Sequence, residues 1–174
     1  MEDPIWAEAF RAAYRRARQA YEEGAGSPAL AVSEPDREFL GEIGCSPQEI
    51  FDFVEDDVTV GEPDLETALR ITRVRWEYFQ EVEKGQSPGR LQRVQEFPPP
   101  GETLGGIPWL PRIISKARAK LRGELPQELM FGCGGDRHFL REHGLAPDRF
   151  LEAVWKAGDN DAEILDYVRR RGGA

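Results

Sequence analysis

The 174-residue sequence predicts a mainly α protein: two helical lobes related by internal duplication, packed about a pseudo-twofold axis into one compact domain. Asp36-Arg37-Glu38-Phe39-Leu40 recurs as Asp136-Arg137-His138-Phe139-Leu140, and the match runs without a gap through Gly44/Gly144 and Pro47/Pro147 to Val54/Val154. The stretch before each block carries the same apolar stripe. Phe10, Ala13, Tyr14, Ala17 and Tyr21 match Leu110, Ile113, Ile114, Ala117 and Leu121, both at the i, i+3, i+4, i+7, i+11 spacing of an amphipathic helix. Strand signals are few, because β-branched residues are scattered and no Asn-Gly or Asp-Gly turn separates alternating runs.

In chain order, residues 1–84 form the first lobe. Its leading helix carries the Phe10–Tyr21 stripe, and Asp36 is placed as the N-cap of a short helix that stops before Gly44, a C′ glycine. Pro47 suits the first turn of the next helix, where Ser46 and Glu49 spell a capping box, and Pro63-Asp64 opens a long last helix reaching about Lys84. Residues 85–108, with Pro98-Pro99-Pro100-Gly101 and Gly105-Gly106, read as a linker without helical periodicity. The second lobe, 109–174, repeats the plan: a helix through Leu110–Leu121, Asp136 at an N-cap, Gly144, Pro147, and a last helix from Asn160-Asp161 to near Arg171. Its third helix has Ala146 where the first lobe has Ser46, so that cap is weaker. Trp6, Trp76, Trp109 and Trp155 are read as core or interlobe aromatics, with a pocket wall as the alternative for Trp109.

Charge is uneven. Residues 1–97 carry a net −10 and residues 98–174 a net +1, and five basic residues without an acidic one fall between Arg112 and Arg122. An acidic chain repels phosphate backbones, which argues against general nucleic-acid binding. No apolar run nears the roughly 20 residues that cross a bilayer. The acidic start is unlike a secretory signal, and two cysteines are too few for a disulfide framework, so the cytoplasm is the expected compartment. Metal binding is not expected: there is no C-x-x-C, and His138 and His143 would diverge by about 140° on a helix. Glu55-Asp56-Asp57 lacks the spacing of a calcium loop and reads as a solvated helix end.

The densest chemistry lies between Gly105 and Arg137. Gly132-Cys133-Gly134-Gly135 precedes a helix start, where backbone N–H groups and the helix dipole favour an anion or a thiolate. Arg112, Lys116 and Arg118 lie on the preceding helix and could complete an anion pocket, although the Asp136 carboxylate could satisfy those N–H groups itself. Arg18 with Asp36 and Arg118 with Asp136 are expected to pair as structural contacts of each lobe. Cys133, His138 and Gly134-Gly135 have no counterpart in the first lobe, where Ser33, Glu38, Glu34 and Pro35 stand, so a site would lie there; the alternative is a tight turn with a buried, inert cysteine.

The run Gly105-Gly106-Ile107-Pro108-Trp109-Leu110-Pro111-Arg112-Ile113-Ile114-Ser115-Lys116-Ala117-Arg118, followed by Asp136, Phe139 and Leu140, resembles a bacterial family of uncharacterised small domains. Its hallmark is G-G-I-x-x-L-x-R-x-x-x-K-A-R followed by a G-x-D-x-x-F-L-type block. The resemblance covers the C-terminal half, with the N-terminal half as a diverged relative of the same unit. It implies a fold class and no activity.

Three readings of function stay open. One is a small binding or regulatory protein holding a small anionic ligand in an interlobe cleft, with Trp109, Arg112, Lys116, Arg118, Gly134, Gly135 and Asp136 as its lining. Another is an enzyme with Cys133 as thiolate nucleophile and His138 as base. The last is a structural partner protein or homodimer docking through the acidic half. No cofactor is named by any motif.

Overall fold

The computed structural model describes residues 2–87 and 89–172, and it is mainly helical. Contacts divide the chain into two compact units, Met1–Gln86 and Ser87–Ala174. Among the described residues no helix is long and apolar enough to cross a membrane.

The first unit holds α1 (Ala7–Glu22), α2 (Pro28–Ala31), α3 (Glu34–Glu42), α4 (Pro47–Val60) and α5 (Leu65–Glu81). Helix α1 buries its predicted stripe, Phe10, Ala13, Tyr14 and Ala17, against α2, α4 and α5. The Ser46–Glu49 capping box starts α4, and Asp64 accepts from the Thr67 N–H at 2.8 Å to start α5. Both proline-led starts therefore follow the sequence reading.

The second unit begins with a 3-10 turn at Val94–Glu96 and a short antiparallel hairpin, β1 (Thr103–Leu104) with β2 (Ile107–Pro108). Then come α6 (Leu110–Arg122), α7 (Gly134–Glu142), α8 (Pro147–Ala157) and α9 (Asp161–Gly172). Helix α6 buries Leu110, Ile113, Ile114, Ala117 and Leu121 and packs on α8, which packs on α9. The segment expected to be a linker is part of this unit. The Gln92 N–H donates to the Glu124 carbonyl at 2.8 Å, Arg112 donates to the Pro98 carbonyl at 2.8 Å, and Phe97 is buried. Proline-rich backbone offers carbonyls without matching N–H groups, and here donors from α6 and its flanks bind them.

Two local expectations are corrected. Asp36 and Asp136 do not cap their helices. Ser33 and Cys133 hold those N-cap positions, and the aspartates sit inside the first turn, where the helix dipole still favours a carboxylate. Glu55-Asp56-Asp57 is not a solvated end either. It lies inside α4, where Asp57 Oδ2 accepts from the Tyr14 hydroxyl at 3.0 Å and from Arg18 at 2.7 Å. Burial, and then Asp57, raise the Tyr14 phenol above its ordinary value, so it stays a donor.

Asp52 on α4 accepts from Gln48 at 2.7 Å, yet burial pushes its carboxyl up to about 7, with Glu49, Glu55 and Asp56 adding to the rise. A carboxyl whose folded value exceeds its unfolded value of 3.8 holds its proton more tightly when folded. That contribution is complete below the unfolded value and is lost as pH climbs through about 7. Asp52→Asn is therefore expected to raise the melting temperature of the full chain at about pH 8 by a few degrees, the scale of roughly 1 kcal/mol. Near pH 4.5 the gain should shrink toward zero, by the same linkage. Thermal unfolding followed by circular dichroism at the two pH values checks it, and an equal gain at both would refute it.

Candidate functional site

The second unit gathers its unusual residues around one carboxylate. Asp136, in the first turn of α7, is fully buried. Its Oδ2 accepts from Lys116 Nζ of α6 at 2.6 Å and from the Gly132 backbone N–H at 2.9 Å, and its Oδ1 accepts from the Trp109 indole N–H at 2.9 Å. Lys116 is equally enclosed, the pair exposing 2% and 0% of their side chains. Two opposite charges can leave water together only when every lone pair and proton finds a partner, and this pair meets that condition on the carboxylate side.

Lys116 Nζ also lies 3.2 Å from Cys133 Sγ, a donor contact to sulfur. Cys133 is half-exposed, whereas Cys45 in the first unit is buried. As the N-cap of α7, Cys133 makes no side-chain cap bond. Its carbonyl receives the Arg137 N–H at 2.8 Å, and the Arg137 guanidinium takes the Gly132 carbonyl at 2.8 Å, which fixes the loop in front of the helix.

Trp109 reaches Asp136 at a cost. It adopts a left-handed backbone, φ 71°, at the N-cap of α6, a region that strains non-glycine residues by roughly 1–3 kcal/mol. Gly135 answers it: a Cβ there would stand 2.4 Å from Trp109 Cζ2. At Gly134 the nearest atom to such a Cβ is Arg137 Nη2 at 3.8 Å, so that position has room.

The other predicted residues go elsewhere. Arg112 binds the Pro98 carbonyl and lies over the Trp109 ring, 5.9 Å from its centroid. Arg118 donates to the Gly158 carbonyl, at 2.8 Å from Nη2, and pairs with Asp161 at 2.7 Å. His138 is exposed, with Nε2 3.4 Å from Glu142, so the residue on the Cys133 sulfur is Lys116 and not a histidine base. Arg112, Lys116 and Arg118 thus serve separate partners. The aspartate–cation pairing exists, two positions before the expected arginine. In the first unit likewise Arg16, not Arg18, forks onto Asp36 at 2.6 and 3.0 Å. There Ser33 donates to Asp36 Oδ2 at 2.8 Å and accepts from the Asp36 N–H. Arg16, and with it the Ser33 hydroxyl, hold Asp36 below the usual carboxylate range against its partial burial. The trio Arg16, Ser33, Asp36 therefore stands 100 residues before Lys116, Cys133, Asp136.

The glycine pair before β2, the arginine toward Pro98, the buried lysine and the carboxylate on α7 all lie in one contiguous stretch of the sequence. Residues 95–174 match the model of DUF5069, a domain of unknown function. The DUF5069 match starts ten residues before Gly105, so it takes in Phe97 and the carbonyl that Arg112 binds. No curated protein and no solved structure matches the chain.

Within the DUF5069 domain a groove of about 570 Å³ lies between α8 and α9, walled by Arg149, Lys156, Glu163, Asp166, Tyr167 and Arg170. Its charges are mixed, and none of the sequence candidates lines it. Among the described residues no group of three His, Cys, Asp or Glu side chains could hold a metal ion.

Gly135→Ala is expected to destabilise the second unit by about 1–3 kcal/mol through the clash with Trp109, and Gly134→Ala to change little. Asp136→Ala, which strands Lys116 in the interior, should cost about 3–5 kcal/mol. Urea unfolding of the three variants checks the ranking; a Gly134 variant as damaged as the Gly135 one would contradict it.

Proposed function

We propose that the chain is a small thiol-reactive protein in which Cys133 is the nucleophile, Lys116 the group that holds its sulfur, and Asp136 the anchor for Lys116. The observation that carries this reading is the 3.2 Å contact between Lys116 Nζ and Sγ of the half-buried Cys133, which makes no capping bond. Reactive cysteines occupy electropositive, partly exposed surroundings, whereas structural ones are buried and inert. Cys133 has the first setting. A site for a small anion at the start of α7 is less well supported, because the Asp136 carboxylate already takes the Gly132 N–H and the Lys116 ammonium.

The first unit supports the same reading. On the view that the two units are copies of one motif, Arg16, Ser33 and Asp36 do the structural part of the work alone. A serine at an N-cap stabilises a helix better than a residue without a capping bond, by about 0.5–2 kcal/mol. Retaining cysteine there is what a site does when reactivity outranks stability. The substrate class is a small electrophile able to reach a half-exposed sulfur, and a reducing compartment such as the cytoplasm keeps the thiol free.

Iodoacetamide at neutral pH is expected to label Cys133 in the folded chain several-fold faster than it labels glutathione, and Cys45 only after unfolding, with peptide mass mapping as the readout. Cys133→Ser should leave the melting temperature unchanged or raise it. A Cys133 no faster than glutathione, or a serine variant that melts many degrees lower, would remove the reading.

A further inference from the structure

We infer that Lys116 and Cys133 are the two ends of an oxidation-triggered covalent cross-link, in which hydroperoxide oxidises the sulfur and the lysine amine then displaces the new oxygen to give a sulfenamide. The inference rests on the reading of Cys133 as a reactive thiol and goes beyond it by assigning the second nucleophile and the oxidant class.

The geometry sets the sequence of events. Cys133 is half-buried, against the near-complete burial of Lys116, so in the proposed chemistry a small hydroperoxide acts at Sγ first. Lys116 is 1% exposed, so no external reagent reaches Nζ, and its reactive neighbours are the ones already in the structure. In the first step Sγ attacks one peroxide oxygen. An S–O bond forms, the O–O bond breaks, and the thiol proton leaves with the alcohol or water released; sulfur is oxidised and the peroxide reduced. In the second step Lys116 passes one proton to Asp136 Oδ2, 2.6 Å away, and its freed lone pair attacks Sγ. The S–N bond forms as the S–O bond breaks, and the hydroxide leaves as water with a second proton from the nitrogen. No further oxidant is needed. The starting separation of 3.2 Å falls within the near-attack range of roughly 3–3.5 Å for reacting atoms.

Two features point to the amine as the group that resolves the oxidised sulfur. The chain has one other cysteine, Cys45, and it is buried at 3% exposure, so no second thiol is presented for a disulfide within the chain. In the first unit Asp36 is served by a guanidinium and a hydroxyl, Arg16 and Ser33, neither of which can make such a link. The buried setting suits lysine as the cation, but it does not call for cysteine at the cap, where Cys133 makes no capping bond.

The test treats the full chain carrying Cys45→Ser with hydrogen peroxide and reads intact mass and linked peptides. The expected product is about 2 Da lighter than the reduced protein, joins the Lys116 and Cys133 peptides, and reverts with dithiothreitol. Lys116→Arg, which keeps a cation against Asp136 as Arg16 does against Asp36, should abolish the loss and give gains of about 16 and then 32 Da at Cys133. Those gains in the Lys116 protein, a disulfide-linked dimer, or a link from Cys133 to any other residue would overturn the cross-link. Dimedone separates the two claims. If it traps oxidised Cys133 while no link forms, the cross-link falls and the reactive thiol stands. If neither dimedone nor iodoacetamide labels Cys133, the thiol reading itself falls and takes the cross-link with it.

Discussion

A carboxylate with none of its surface in water must be fully hydrogen-bonded, and the second unit is organised around meeting that demand for Asp136. Its three donors come from three places in the chain: the start of α6, the middle of α6, and the loop before α7. Each exacts something local. Trp109 must turn its backbone into the left-handed region to aim its indole, Gly135 must stay bare so that the ring can lie against it, and Lys116 must leave water entirely. Strain, a missing side chain and a desolvated ammonium are separate costs that make sense together only because they serve one acceptor. The same contacts tie α7 to α6, so the position of the Cys133 sulfur is a by-product of how Asp136 is satisfied.

The first unit meets a milder version of this demand. Asp36 exposes 6% of its surface and is answered by Arg16, whose side chain is 58% exposed, and by the Ser33 hydroxyl. A pair so open to solvent is screened and contributes little on its own. Arginine suits that place because its fork grips both carboxylate oxygens from the surface, whereas a buried point contact to one oxygen, with an indole on the other, suits lysine. Moving the pair from rim to interior thus changes which cation fits, and the change of cation brings a primary amine next to the capping residue.

The helices and their order were legible in the sequence because apolar spacing and punctuation agree. The α1 and α6 stripes, the Pro47 and Pro147 starts and the left-handed Gly44 and Gly144 all stand where the pattern puts them. The pairing of each aspartate with a cation from the preceding helix was legible in kind but not in register. Positions 116 and 118 flank Ala117 on either side, about 100° away in opposite senses. Which side faces α7 depends on how that helix docks, and helical periodicity carries no such information. Likewise the N-caps were placed at Asp36 and Asp136 because aspartate caps well, yet the helices start three residues earlier, where serine and, less well, cysteine stand. The packing role of Gly135 was hidden for the same reason: a glycine pair before a helix reads as room for an anion, and only coordinates reveal an indole in that space. The segment 85–108 looked like a linker because proline and glycine erase periodicity, but its carbonyls are bound by donors that periodicity does not reveal.

Lys116 and Cys133 differ in burial, and that asymmetry sets the order of events in the proposed chemistry. An amine and a thiol exposed side by side would compete for any electrophile that arrives. Here the fold buries the amine and holds it on Asp136, while Cys133 is only half-buried. In the proposed chemistry a reagent meets sulfur first, and the amine acts only on what the sulfur has become. Burying lysine costs more than leaving an arginine at the surface, as the first unit does, so stability alone does not explain the arrangement. The proposed ordered pair of nucleophiles, one presented and one in reserve, would account for it. It would also account for a capping cysteine that forgoes a hydrogen bond of the kind Ser33 makes in the first unit.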